Sequence, residues 1–153
     1  MSTVEAKLKE LGHELPPAPR AFANYVTAVR TGNLVFLAGH GPVKDGTLPY
    51  RGKLGRDVDI DAGRKAAELT ALNLLASLKA EIGDLDRVRR IVKVLGMVNA
   101  APDFHDHPRV IDGASDLLVA VFGEKGRHAR SAVGVASLPL DIAVEIEMVV
   151  EVE

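Results

Sequence analysis

Residues Arg127 to Glu147 read RHARSAVGVASLPLDIAVEIE. The pattern predicts two β-strands joined by a tight Leu138-Pro139 turn. Successive side chains of a strand point to opposite faces. On the first strand Arg130, Ala132 and Gly134 share one face, and Ser131, Val133 and Val135 share the other. On the second strand Val144, Ile146, Met148, Val150 and Val152 share a face, opposite Ala143, Glu145 and Glu147. A turn centred near Ser137 and Leu138 sets Arg130 across from Glu145 and Ala132 across from Ala143, with opposed Cβ atoms about 5 Å apart. The expectation is a shallow trough, with small residues as its floor and a guanidinium and one or two carboxylates at its rim. A solvated strand face carrying a cross-strand ion pair, worth about 0–1 kcal/mol, has the same pattern.

Upstream, the pattern alternates between strands and helices. TVEAKLKELG spaces Val4, Leu8 and Leu11 as a short helix that Gly12 can stop, free to fold back on the body. ELPPAPRAF follows as an extended connector. NYVTAVRTGNLVFLAG predicts two strands around a Thr31-Gly32-Asn33 turn, and GHGPVKDGTLPYRGKLGRD a long loop. From about Asp59 to Ile82, Ala67, Ala71, Leu74, Leu75, Leu78 and Ile82 line one side of the strongest helix, and Gly83 supplies the stop. RIVKVLGMVNA is a third strand. Val110, Ala114, Leu117, Leu118, Val121 and Phe122 mark a helix ended by Gly123. No linker-like stretch divides the chain, so residues 1–153 are expected to form one α+β domain, with residues 1–20 as helix and proline-rich connector. Its architecture is a mixed β-sheet with two helices packed on one face.

A sheet covered on one face should alternate apolar and polar residues. LVFLA (Leu34 to Ala38), KVLGMV (Lys93 to Val98) and MVV (Met148 to Val150) are apolar, or nearly so, on both faces. No third helix of sufficient size remains to cover the second face. Self-association with the sheets facing inward is the economical answer; a monomer whose loops cover its central strands is the alternative.

Of the 153 residues, 47% are hydrophobic, the formal net charge is −2, and there is no cysteine. Disulfides, cysteine-based zinc sites and thiol catalysis are therefore excluded. The charge gives no global attraction to nucleic acid or anionic membrane. The polar start MSTVEAKLKELGHEL and the lack of an apolar run of about 18–20 residues lead to the expectation of a cytoplasmic protein. FHDHP brings His105, Asp106 and His107 together, but even with His128 no spacing completes a metal site, so no metal is expected. GHGPVKDG lacks the Gly-Lys-Ser/Thr ending of a phosphate loop. RVRRIVK splits its arginines between two strand faces and has no aromatic platform beside it, so no nucleic-acid track is expected.

ARSAVGVASLPLDIAVEIE resembles the C-terminal signature of the Rid family of reactive-intermediate deaminases, also called the YjgF family: Arg-Ser-hydrophobic-Val, then Leu-Pro-x-Asp, then Val-Glu-Ile-Glu. GNLVFLAGHGPV is similar to that family's first hairpin. The N-terminal helix and the stretch AAPDFHDHPRVIDGAS mark a divergent subgroup. The resemblance implies a chorismate-mutase-like fold, a homotrimer with sites in the clefts between subunits, and cofactor-free hydrolysis of 2-imino acids or their enamine tautomers to 2-keto acids and ammonia. It implies that Arg130 grips the substrate carboxylate, for which its planar fork is suited, and that Glu145 positions or activates water. Tyr25 would line the cleft, the Gly39 backbone would face the substrate, and Ser115 would take the place of a helix asparagine. Ala132 stands where cysteine is frequent, Ala38 where serine is, and His40 where glutamine is. The clamp is thus kept while the surrounding pocket is changed. A small-carboxylate-binding or regulatory protein without turnover fits the same changes. A chorismate-mutase-type isomerase would want several cationic groups in the cleft, and only Arg130 is clearly placed for one.

Overall fold

A computed structural model describes residues 2–21 and 23–153. The elements are α1 (Thr3–Glu10), β1 (Ala28–Thr31), β2 (Leu34–His40), α2 (Ile60–Ile82), β3 (Val88–Asn99), α3 (His107–Phe122), β4 (Ala129–Val135) and β5 (Val144–Val152). Their ends follow local chemistry. Asp59 caps α2 by accepting from the Ala62 amide at 2.8 Å, and Gly83, at φ 87°, closes it. Ser2 caps α1. The Asp86 carboxylate also accepts from the Thr3 and Val4 amides, at 2.8 and 3.0 Å, and Glu5 pairs with Lys79 at 2.9 Å. These contacts, with Val4 and Leu8 buried, fold α1 back onto the body.

The five strands form one mixed sheet in the order β1-β2-β5-β3-β4. This corrects the predicted C-terminal hairpin: β4 and β5 are not neighbours, because β3 lies between them. β3 pairs parallel with β4 and antiparallel with β5. A parallel pair needs a crossover rather than a turn, and α3 is that crossover. The Leu138-Pro139 segment is accordingly a bridge over the end of β3. It is tied down by the buried Asn99, whose amide donates to Asp141 Oδ1 at 3.0 Å and to the Ile142 carbonyl at 3.2 Å.

α2 and α3 pack on one face of the sheet. Val144, Ile146, Met148, Val150 and Val152 of β5 point into that layer and are buried. α3 crosses α2 closely because Gly113 has no side chain: an added Cβ would overlap the Arg64 backbone. The other face is left bare. Val29, Phe36 and Val149 form a cross-strand row there, and Val133 pairs with Met97 beside it. Phe36 and Val133 are 45% and 44% exposed. The apolar second face expected from the sequence is therefore present and uncovered in the single chain. Among the described residues no helix is long and apolar enough to cross a membrane.

Candidate functional site

The residues singled out in the sequence divide into two groups on opposite faces of the sheet. Arg130 pairs with Val94 on β3, whereas Glu145 pairs with Met97 on the same strand. Arg130, Ala132 and Gly134 face the helices, where an added Cβ on Gly134 would meet the His107 ring. Glu145 and Glu147 leave the bare face. The single trough expected with Arg130 across from Glu145 does not exist within one chain.

The first group surrounds Glu145. Tyr25, Ala38, Gly39, His40, Leu140 and Glu145 are among the residues lining a cleft of about 530 Å³. A break in the β2–β5 register between Leu37 and His40 lets the backbone at Gly39 approach β5. The approach is so close that a Cβ at Gly39 would overlap Glu145 Oε2. Half burial raises the Glu145 carboxyl above its ordinary pKa, and the neighbouring charge of Glu147 raises it further. Leu140 holds a left-handed backbone at φ 58° and projects an exposed side chain at the mouth of the cleft. Arg51 Nε fixes it there by donating to the Leu140 carbonyl at 3.1 Å.

His40 ends β2 and is buried. Nδ1 lies 2.6 Å from the Ala38 carbonyl and Nε2 2.7 Å from Ser77 Oγ. Both ring nitrogens are thus committed, and burial lowers the imidazole pKa against the opposing Ala38 bond. The Asn73 amide donates to the carbonyls of Gly41 and Val43, at 3.0 and 2.9 Å, and holds the following loop on α2.

The second group surrounds Arg130. Nη1 donates to Asp112 Oδ1 at 2.8 Å and to Ser115 Oγ at 3.1 Å. Ser115 Oγ is also 2.9 Å from His128 Nε2, and His128 Nδ1 is 2.6 Å from the Gly126 carbonyl. Arg64, on α2, reaches Asp116 at 2.9 Å and lies 4.0 Å from Asp112. Ala132 stands one residue pair further along β4, partly buried against the core. The sequence points to Ser115 but not to Asp112, and it raises His128 only as a metal ligand, not as a neighbour of Arg130. The signal for Asp112 was available: Asp112 and Ser115 are one helical turn apart and therefore share a face of α3. His107, from the FHDHP cluster, packs edge-on against Phe104, with ring centroids 5.6 Å apart. Among the described residues no group of three or more His, Asp or Glu side chains is arranged to hold a metal ion.

Residues 5–152 match the family described as "YjgF/chorismate_mutase-like, putative endoribonuclease". The chain is 44% identical over 149 residues to Protein TCP17 of Trypanosoma cruzi, covering 97% of this chain and 93% of the relative. It is 31% identical over 134 residues to the 2-iminobutanoate/2-iminopropanoate deaminase of Escherichia coli, covering 86% and 90%. The crystal structure of Atu1372 from Agrobacterium tumefaciens, a protein of unknown function, superposes with a TM-score of 0.94 at 47% identity, covering 99% of this chain and 93% of the other.

Proposed function

The chain belongs to the YjgF/chorismate-mutase-like family, and from that premise we propose that it hydrolyses reactive 2-imino acids, or their enamine tautomers, to 2-keto acids and ammonia. The setting would be the cytoplasm, as a guard against damaging metabolites. The observation that carries the reading is the division of the site. Arg130 and Glu145 leave opposite faces of one sheet, so a ligand touching both must lie between two copies of the chain. The bare apolar face around Phe36 and Val133 offers the surface on which copies would meet. A homotrimer with three such clefts is the arrangement we propose.

In that cleft Arg130 holds the substrate carboxylate of one partner's half-site against Glu145 of the other. Water adds to C2 as Glu145 takes its proton. The C=N electron pair moves to nitrogen, which receives that proton back from Glu145. The carbinolamine then collapses: its hydroxyl proton passes to nitrogen, the C–N bond breaks, the C=O bond forms, and ammonia leaves. A held substrate, a held water and a proton acceptor suffice, so no cofactor or metal is needed. The raised pKa of Glu145 suits this work, because it brings proton exchange closer to neutral pH. Tyr25, Gly39 and His40 would form the wall on the Glu145 side, and Ser115 and Ala132 would lie on the Arg130 side.

The test is release of ammonia and keto acid from freshly generated 2-imino acids. Wild type should accelerate it and Arg130→Ala should not, with the oligomer intact; equal rates would overturn the reading. One observation favours a second reading, a carboxylate-binding protein without turnover: Asp112 already occupies Nη1 of Arg130. Saturable binding of small carboxylates with no acceleration of imine hydrolysis would select it.

A further inference from the structure

The hydrogen bonds behind Arg130 have one favoured direction. A guanidinium donates and never accepts, so Ser115 Oγ must accept from Nη1 at 3.1 Å. The Ser115 proton points away from Arg130, and His128 Nε2 at 2.9 Å is an acceptor for it when the ring is neutral. Nε2 can take it only if it carries no proton of its own. The other end of the ring agrees: Nδ1 faces the Gly126 carbonyl at 2.6 Å, and a carbonyl can only accept. Nδ1 therefore carries a proton, and the Arg130 cation on the same hydroxyl favours the neutral ring, with Nε2 as acceptor. Burial favours the same neutral form, and the charge of Arg130 adds to it against the opposing Gly126 bond.

The far end of the chain is anchored by packing. An added Cβ on Gly126 would overlap the Leu118 backbone, so glycine is what lets this carbonyl turn lie against α3. At the near end, Asp112 Oδ1 takes the other bond of Nη1 at 2.8 Å. Among the described residues Nε and Nη2 of Arg130 have no hydrogen-bond partner. One nitrogen is held twice, while the other two have no partner among the described residues of the chain.

We propose that His128 is a positioning residue: by taking the Ser115 proton it fixes Ser115 as an acceptor and, with Asp112, turns the free Nε–Nη2 edge of Arg130 toward a carboxylate. The ligand side of this inference rests on the reading of Arg130 as the carboxylate anchor. The positioning itself depends only on the hydrogen-bond chain. A charged His128 would point a proton at Ser115 Oγ, which already receives one from Arg130, and would set two cations around one hydroxyl. The neutral ring is thus part of the device.

Two measurements test it on the intact oligomer. Nitrogen NMR of the histidine side chains should place the His128 proton on Nδ1, and the Arg130 side-chain signals should lose their immobilised shifts in His128→Leu. A proton on Nε2, or Arg130 signals indifferent to His128→Leu, would overturn the proposal whether or not the protein is an enzyme. The second measurement uses 2-ketobutanoate as a carboxylate probe. His128→Leu should weaken its binding about tenfold, the scale of one hydrogen bond to a charged group. His128→Gln, which restores an acceptor near the Nε2 position, should recover most of that loss. Ser115→Ala combined with His128→Leu should be no worse than either alone, because both break one chain. Additive losses, or no rescue by Gln, would mean that His128 is merely structural. Failure of wild type to bind any small carboxylate, with the NMR result as expected, would remove the anchor reading and leave the positioning chain standing.

Discussion

Arg130 and Glu145 pair with the same central strand, at Val94 and Met97, and their side chains leave opposite faces of it. A site built from both must be shared between copies. Two inactive variants should then complement each other. Arg130→Ala keeps the Glu145 half, and Glu145→Gln keeps the Arg130 half. In trimers co-expressed from equal amounts, about one interface in four combines two intact halves. Roughly a quarter of wild-type activity is expected from the mixture, and essentially none from either variant alone. Activity no higher than that of the separate variants would mean that the two groups do not share a cleft.

Gly39→Ala separates the cleft from the fold. The added Cβ meets the end of the Glu145 side chain, which can swing away without moving any backbone. Stability should therefore change little. The carboxylate would leave its place, and a shift of about 1 Å in a reacting group can cost about 10²-fold in rate. Melting temperature and turnover measured on the same preparation check this. A variant that melts normally and turns over normally would show that the position of Glu145 is immaterial.

Gly113→Ala should do the reverse. Its Cβ would meet the Arg64 backbone, which is held in α2 and cannot rotate away. A cost of about 1–3 kcal/mol is expected from this overpacking, read as a lower denaturant midpoint. An unchanged midpoint would show that the two helices can separate freely at this crossing.

These glycines also explain what was legible in the sequence. Element boundaries were, because caps and periodicity are local: Asp59 and Gly83 bracket α2, and Gly123 ends α3. Strand faces were legible too, because alternation alone sends Glu145 away from Val144 and Ile146. Strand neighbours were not. Leu138-Pro139 resembles a hairpin turn, and nothing local says that β3 will insert between β4 and β5. The signal lay at longer range: a strand, a helix and a strand, from β3 through α3 to β4, form the unit that makes parallel pairs. A hairpin pairing puts Arg130 and Glu145 in one trough and hides Asp112 and His128 as neighbours of Arg130. The resemblance to the family implies the residues and a cleft between subunits, but not which face of the sheet each residue leaves.

Glu145 should weaken the fold at neutral pH. Its folded pKa is raised above the ordinary 4.5 by burial, and then by Glu147. A raised pKa contributes stability fully present below the unfolded value and lost as pH rises through the folded one. Glu145→Gln should therefore be more stable than wild type at pH 7 and lose that advantage near pH 4, while losing activity at both. Glu147→Gln removes the like charge, so the acidic limb of the rate profile should move to lower pH. Denaturant midpoints at the two pH values and the pH–rate profile check both. A limb that stays in place would separate it from Glu145.

His40 has the opposite sign. Burial lowers its folded pKa below 6.5, outweighing the bond to Ala38. The neutral ring suits its surroundings: Nδ1 donates to the Ala38 carbonyl, and Nε2 accepts from Ser77. Protonation would have to be accommodated beside a hydroxyl in a buried space. Its contribution is thus present above the unfolded pKa and lost as pH falls through the folded one. Wild type should lose denaturant resistance between pH 7.5 and pH 5. His40→Gln should start lower at pH 7.5 and fall less over that interval. A slope remains in the variant because His128 is also lowered, and Glu145 titrates with the contrary sign. The difference between wild type and His40→Gln isolates His40 from both. Parallel slopes in the two proteins would mean that the His40 ring accepts its proton without strain on the fold.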